Sequence, residues 1–195
     1  MRIISGASKG RKLATPKDRS LRPTSDRIKE SIFNILRGRI EGGAALDLFA
    51  GTGNLGIEAL SRGAKEAIFV EKGRQALRVI QRNLAQCRME ERSEVLSMDA
   101  NRAIEILEQR GRTFDLIFID PPYEQGLIER TLVKLNCHPI FHENSILVVQ
   151  HHRRELLSTA AKDWNLIRQR QIGETVISIL TLQEKKGSTD AQREV

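Results

Sequence analysis

Short apolar, β-prone runs alternate with helix-like segments through the middle of this chain. That alternation restricts the fold more than any other feature. Runs at 44–49, 66–70, 94–98 and 114–119 read as buried strands, and segments at 54–62, 73–87 and 101–109 read as helices. A helix near 125–135 and a strand at 145–150 continue the series, and 164–171 and 174–182 pass from strand to strand across Gly173. Strands joined by helices bury both faces of a parallel sheet, whereas two strands joined by a tight turn lie antiparallel. The expected fold is α/β: a mostly parallel seven-stranded sheet, helices on both faces, and a C-terminal antiparallel hairpin.

Ahead of this series, residues 1–16 read as a β-hairpin, with Ser5-Gly-Ala-Ser-Lys-Gly10 as its turn. A helix is expected from Pro23 to about Arg39, with Ile28, Ile32, Ile35 and Leu36 on its apolar face. The division that follows is a basic extension over 1–40, a core over 41–183, and a polar tail over 184–195 expected to be disordered. A chain of 195 residues suffices for one α/β core. No apolar run approaches the roughly 18 residues of a membrane helix, and no secretory signal is evident. Cys87 and Cys137 stand apart without metal-ligand spacing, so no metal and a reduced, cytoplasmic setting are expected. His151-His-Arg-Arg154 reads as a solvated helix start.

The strand at 114–119 runs into Asp120-Pro-Pro-Tyr123. Neither proline has an N–H to donate to a ladder, so the strand stops there, at the carboxyl edge of the sheet. Open α/β sheets bind ligands along that edge. A carboxylate, a rigid carbonyl and an aromatic face side by side suit an aromatic amine. The two acceptors take its N–H bonds, and the ring stacks on its π-face.

A second motif lies earlier. The strand ending in Asp47 leads into Gly51-Thr-Gly53-Asn-Leu-Gly56 and an amphipathic helix start, Ile57-Glu-Ala-Leu-Ser-Arg62. Strand, glycine turn and helix are the parts of a nucleotide-type cofactor loop. Glu71 ends the next strand, where a carboxylate can take both hydroxyls of a ribose. The spacing also matches a dinucleotide fingerprint, but Asp47 at the loop's mouth would repel a pyrophosphate. It favours S-adenosylmethionine, which has no phosphate and carries a sulfonium and an ammonium. Asp99 follows the strand at 94–98, where it can meet an adenine amine. Asp47, Glu71, Asp99 and Asp120 thus end four successive strands.

The charge is uneven. Residues 1–40 hold 11 Lys and Arg against 3 Asp and Glu, a balance of +8; the remainder holds 21 against 22, or −1. The basic excess of the whole chain therefore sits in its first fifth, an electrostatic footprint for a phosphate backbone.

Asp47-Leu-Phe-Ala-Gly-Thr-Gly53 with Asp120-Pro-Pro-Tyr123 resembles the Rossmann-like, S-adenosylmethionine-dependent amino-methyltransferases. Met1-Arg-Ile-Ile-Ser-Gly6, Lys9-Gly-Arg-Lys-Leu13, Leu21-Arg-Pro-Thr-Ser-Asp-Arg27 and Phe33-Asn-Ile-Leu36 sharpen this to the RsmD family. The similarity runs from Met1 to about Leu182. It implies methylation of the exocyclic N2 of a guanine in 16S ribosomal RNA, free or in an assembling small subunit; separately, a monomer is expected. It further implies that Asp47, Phe49, Gly51, Gly53, Glu71, Asp99 and Ala100 line the cofactor site. Asp120, Pro121, Pro122 and Tyr123 would then hold the target base, Arg2, Lys9, Arg11 and Lys12 would meet RNA, and Arg22 and Arg27 would meet RNA or the edge of the cofactor. Three alternatives stand beside it. A DNA adenine-N6 methyltransferase shares Asp-Pro-Pro-Tyr, though a sequence-specific one usually carries a sizeable target-recognition region. A non-catalytic RNA-binding or assembly factor could keep the fold, but would tend to lose some of the acids and glycines. A protein-glutamine methyltransferase would be expected to carry Asn in place of Asp120.

Overall fold

A computed structural model describes residues 1–15, 25–155, 157 and 163–183. The expected helix start at Pro23 and Thr24, Arg22, and the tail 184–195 lie outside the described residues. The elements in chain order are α1 (Asp26–Ile35), β1 (Ala44–Asp47), α2 (Asn54–Ser61), β2 (Glu66–Glu71), α3 (Arg74–Cys87) and β3 (Ser93–Ser97). They continue with α4 (Ala100–Gln109), β4 (Phe114–Ile119), α5 (Leu127–Cys137), β5 (Phe141–His152), β6 (Trp164–Ile172) and β7 (Thr175–Leu182).

The seven strands form one sheet in the order β3-β2-β1-β4-β5-β7-β6. The first five are parallel, while β7 pairs antiparallel with both β5 and β6. The α/β architecture with a closing hairpin is therefore the one expected. Strand order reverses between β1 and β4, so a crevice opens at their carboxyl ends.

Period-two alternation along the strands sends side chains to opposite faces. Ala45, Ala67, Phe69, Leu116, Phe118, Ile146 and Val148 pack on one face with α1, α2 and α3. Leu46, Ile68, Val70, Ile117, Ile119, Leu147 and Val149 pack on the other with α4 and α5. Among the described residues, no helix is long and apolar enough to cross a membrane.

The N-terminal hairpin is built into the first of these layers. Arg2 and Lys12 form an antiparallel bridge, and Ile3 and Leu13 are buried in the core. The hairpin lies along α2 and α3. Ile4 and Ser5 donate backbone N–H bonds to the Glu58 carboxylate at 2.8 and 3.0 Å, and Ala14 donates to Asn83 Oδ1 at 2.7 Å. This overturns the expectation of an amphipathic α2. All eight of its residues are buried, because the hairpin covers the face that would otherwise meet water.

Two further expectations change for non-local reasons. Strand β5 begins four residues earlier than its apolar run and extends to His152, because its end pairs with β7: His151 lies opposite Val176 and His152 opposite Thr175. His151 and His152 are therefore buried strand residues rather than a solvated helix start. His151 Nε2 meets Ser178 Oγ at 2.9 Å, and burial pushes its pKa down.

Candidate functional site

Asp47 is the last residue of β1, Glu71 the last of β2, and Asp120 follows β4 directly. These strands are neighbours, so the three carboxylates gather at the edge where the strand order reverses. Asp99, two residues past β3, lies at the far side of the same edge. It caps α4 by accepting the Asn101 N–H at 2.9 Å, so one of its oxygens does the helix-capping work common to acids in such places.

Asp47 is 2% exposed. Its Oδ2 accepts the Gly56 N–H at 3.2 Å, in the first turn of α2, while Oδ1 is buried with no partner among the described residues. Burial, then the nearby charges of Asp120 and Glu71, push its pKa from an ordinary 3.8 up to about 7. Glu71 is bound on both oxygens. Oε2 accepts the Gly51 N–H at 2.9 Å and Oε1 the Gly73 N–H at 2.7 Å. One carboxylate thus ties the glycine turn to the start of α3, a role the sequence did not suggest. Carboxylate oxygens have further lone pairs, so a ribose contact is compatible with these bonds.

The glycines divide the work. Gly53 has φ +77° and is the N-cap of α2, a left-handed conformation that favours glycine. Gly56 serves packing instead: a Cβ there would sit 2.4 Å from Phe69 Cε1, so α2 could not lie so close to β2. Ala100 is buried at the start of α4, and Phe49 is half-buried against the α4–α5 layer.

These residues fit a cationic ligand. Three carboxylates crowd one edge, one of them raised to about 7 with a buried oxygen left unpaired. A positive group placed among them relieves the repulsion, whereas a pyrophosphate would add to it.

At the corner after β4, Pro121 is buried, Pro122 is exposed and Tyr123 is half-buried. Tyr123 is anchored from β7 and β5: its hydroxyl lies 3.0 Å from Thr175 Oγ1, and its ring centroid is 5.8 Å from that of His152 at 49°. Glu155 secures the loop further, accepting the N–H of Glu124 at 2.9 Å and that of His152 at 2.9 Å. Gln150 of β5 donates Nε2–H to Asp120 Oδ1 at 2.7 Å. Sequence reasoning missed Gln150, which ends an apolar run and reads there as an ordinary strand terminus.

Arg2, Lys9, Arg11, Lys12 and Arg27 are all exposed, and the first four are carried at fixed positions on the docked hairpin. Arg2 makes a loose 3.7 Å pair with Asp26. A basic residue of the same region does something different. Lys29 is 0% exposed, and its ammonium donates to Asn54 Oδ1 at 2.7 Å and to the Arg2 carbonyl at 2.5 Å, and pairs with Glu58 at 3.2 Å. It joins the hairpin to the first residue of α2, just past the glycine turn. Its position beside Ile28 on a helix with an apolar stripe is the one sequence signal that it turns inward.

Sheet order, edge acids and the Asp-Pro-Pro-Tyr corner define a Rossmann-like methyltransferase. A solved structure described as "Putative methyltransferase yhhF from Escherichia coli" superposes with a TM-score of 0.82 at 33% identity, covering 94% of this chain and 98% of that one. The "Putative rRNA methyltransferase YlbH" of Bacillus subtilis is 38% identical over 179 residues, 92% of this chain and 97% of the relative. The "Ribosomal RNA small subunit methyltransferase D" of Escherichia coli is 35% identical over 191 residues, 98% and 94% respectively. The family model described as Conserved hypothetical protein 95 matches residues 1–181, and the chain belongs to that family, the RsmD family its motifs resemble.

Proposed function

We propose that this protein transfers a methyl group from S-adenosylmethionine to the exocyclic N2 of a guanine in small-subunit ribosomal RNA, in the cytoplasm. The observation that carries the reading is the gathering of Asp47, Glu71 and Asp120 at the strand-order reversal, with Asp120 at the head of a rigid Pro-Pro-Tyr corner. The relatives named for ribosomal RNA methylation support the substrate class.

Bound at this edge, S-adenosylmethionine supplies an electrophilic methyl on a sulfonium. The chain's own residues do the rest. Asp47 faces the positive end of the ligand and gains a counter-charge for its buried carboxylate. Glu71 holds the Gly51 turn in shape and offers remaining lone pairs to the ribose. A guanine N2 lone pair is delocalised into its ring, so the amine is a weak nucleophile. Asp120 and the Pro121 carbonyl accept its two N–H bonds and aim the nitrogen at the methyl, so that N–C forms as C–S breaks. The rate gain comes from positioning and from a carboxylate facing the positive charge that develops on the nitrogen. After transfer the methylated nitrogen gives up one proton, through Asp120, to bulk water. Tyr123 stacks on a base that has swung out of the RNA.

Deleting the gene and comparing small-subunit RNA by mass spectrometry tests the proposal. One N2-methylguanine should vanish, return with the wild-type gene, and stay absent with Asp120→Ala. An unchanged modification pattern would overturn it.

A further inference from the structure

Gln150 is a polar residue at the end of Ile146-Leu-Val-Val-Gln150, in a strand flanked by β4 and β7. It is 4% exposed. The register pairs Phe118 with Val148 and Ile119 with Val149, and one step further brings Asp120 beside Gln150. Alternation then puts both side chains on the face that carries α1, α2 and α3, the same face as Phe118 and Val148. The side-chain bond between them, 2.7 Å from Nε2 to Oδ1, follows from this register.

The amide's other end is not satisfied. Gln150 Oε1 is buried with no hydrogen-bond partner among the described residues. The amide cannot be turned over to repair this, because Oε1 would then face a carboxylate oxygen, acceptor against acceptor. A buried acceptor left unpaired costs stability, and a leucine of similar shape would avoid that cost. The residue is therefore poorly explained by folding alone. What the glutamine provides is a neutral N–H, on a rigid central strand, aimed at one chosen oxygen of Asp120.

We propose that Gln150 is a positioning residue for the methyl-transfer step. It fixes the plane of the Asp120 carboxylate by engaging Oδ1, and so sets the direction from which the target amine is held. It also does so without adding charge: a lysine or arginine there would neutralise the carboxylate that is to face the developing positive nitrogen, and a carboxylate would repel it. Corner and strand meet only in three dimensions, 30 residues apart in sequence. This inference rests on the assignment of Asp120 to the target amine.

The test is a double-mutant cycle on the full-length enzyme, with small-subunit RNA as substrate. Gln150→Leu should lower kcat on the order of 10- to 100-fold, the range associated with losing a group that orients a reacting one. S-adenosylmethionine affinity by calorimetry should stay within about twofold, and Tm should be equal or higher because the unpaired acceptor is gone. Gln150→Met, which keeps the length but has no N–H, is the second variant and should behave alike. In an Asp120→Ala background, Gln150→Leu should cost nothing further, since it acts through the missing carboxylate. An equal loss in both backgrounds, or a loss that tracks a fall in Tm in both variants, would show a structural role and overturn the inference. Wild-type kcat for Gln150→Leu alongside an inactive Asp120→Ala would overturn it while leaving the assignment of Asp120 intact. Near-normal turnover by Asp120→Ala would remove both.

Discussion

Glu58→Ala should detach the N-terminal hairpin from the core and cost a large part of the protein's stability. The Glu58 carboxylate is 0% exposed and accepts from four donors: the backbone N–H of Ile4 at 2.8 Å and of Ser5 at 3.0 Å, Arg62 Nε at 2.8 Å, and the Lys29 ammonium at 3.2 Å. Removing it leaves the buried Lys29 cation with only the Arg2 carbonyl and Asn54 Oδ1 among the hydrogen-bond partners described above. Burial already pushes the Lys29 pKa down, with Glu58 the main opposing influence. Breaking a buried pair by deleting one partner typically costs ~3–5 kcal/mol. For a domain of this size, each kcal/mol corresponds to about 2–4 °C, so Tm should fall by roughly 6–20 °C. Thermal unfolding followed by circular dichroism measures the loss, and amide hydrogen exchange at Ile4 and Ser5 localises it. The exposed pair Glu94–Arg110, at 2.7 Å, is the control: Glu94→Ala should cost about 0–1 kcal/mol. A Glu58→Ala variant within about 1 kcal/mol of wild type, with Ile4 and Ser5 still protected, would refute the argument.

Other perturbations follow from the site. Asp120→Ala should lower turnover by the equivalent of ~2.7–4 kcal/mol, by analogy with loss of an oxyanion-hole donor, while calorimetric S-adenosylmethionine affinity stays within a few-fold. Glu71→Ala should weaken that affinity by ~1.5–3 kcal/mol in the same assay, part of it through the Gly51 and Gly73 N–H groups it now holds. Asp47 is an acid whose folded pKa is raised, from 3.8 to about 7, so the folded state keeps a proton that the unfolded state releases between those values. Its contribution to stability should therefore fall as pH rises from about 4 to 7, by at most ~1.4 kcal/mol per pH unit. Asp47→Asn should flatten that slope in denaturant titrations at a series of pH values, and an unchanged slope would refute it. Replacing Lys9, Arg11 and Lys12 by Gln should flatten the log–log salt dependence of RNA binding by about 2 to 3 units if all three meet phosphates. Substitution is a cleaner test than deleting residues 1–20, because deletion would also remove Ile3 and Leu13 from the core and uncover Glu58.

The layout of strands and helices was legible because each core strand is a locally apolar run and each connecting helix is long enough to show its period. The edge acids and the Asp-Pro-Pro-Tyr corner were legible for the same local reason: strand ends can be read one at a time. What could not be read depends on partners distant in sequence. Glu58 and Ser61 occupy positions that face water in an isolated helix, and they are buried because residues 1–15 return across α2. Lys29 looks like surface charge until Glu58, 29 residues on, is brought against it. His151 and His152 read as solvated until β7 pairs with them. Gln150 carries no local mark, since its partner is on another strand. The hairpin's basic charge was visible, but not that the same segment closes the core.

The most direct test of the central claim is the chemical identity of the methylated product. Purified protein, S-adenosylmethionine with an isotopically labelled methyl, and small-subunit RNA, both free and in assembled subunits, are incubated; the RNA is then digested to nucleosides for mass spectrometry. Label in N2-methylguanosine, abolished by Asp120→Ala, is the predicted result. Label in N6-methyladenosine, or no transfer to RNA by a protein that binds S-adenosylmethionine, would contradict it.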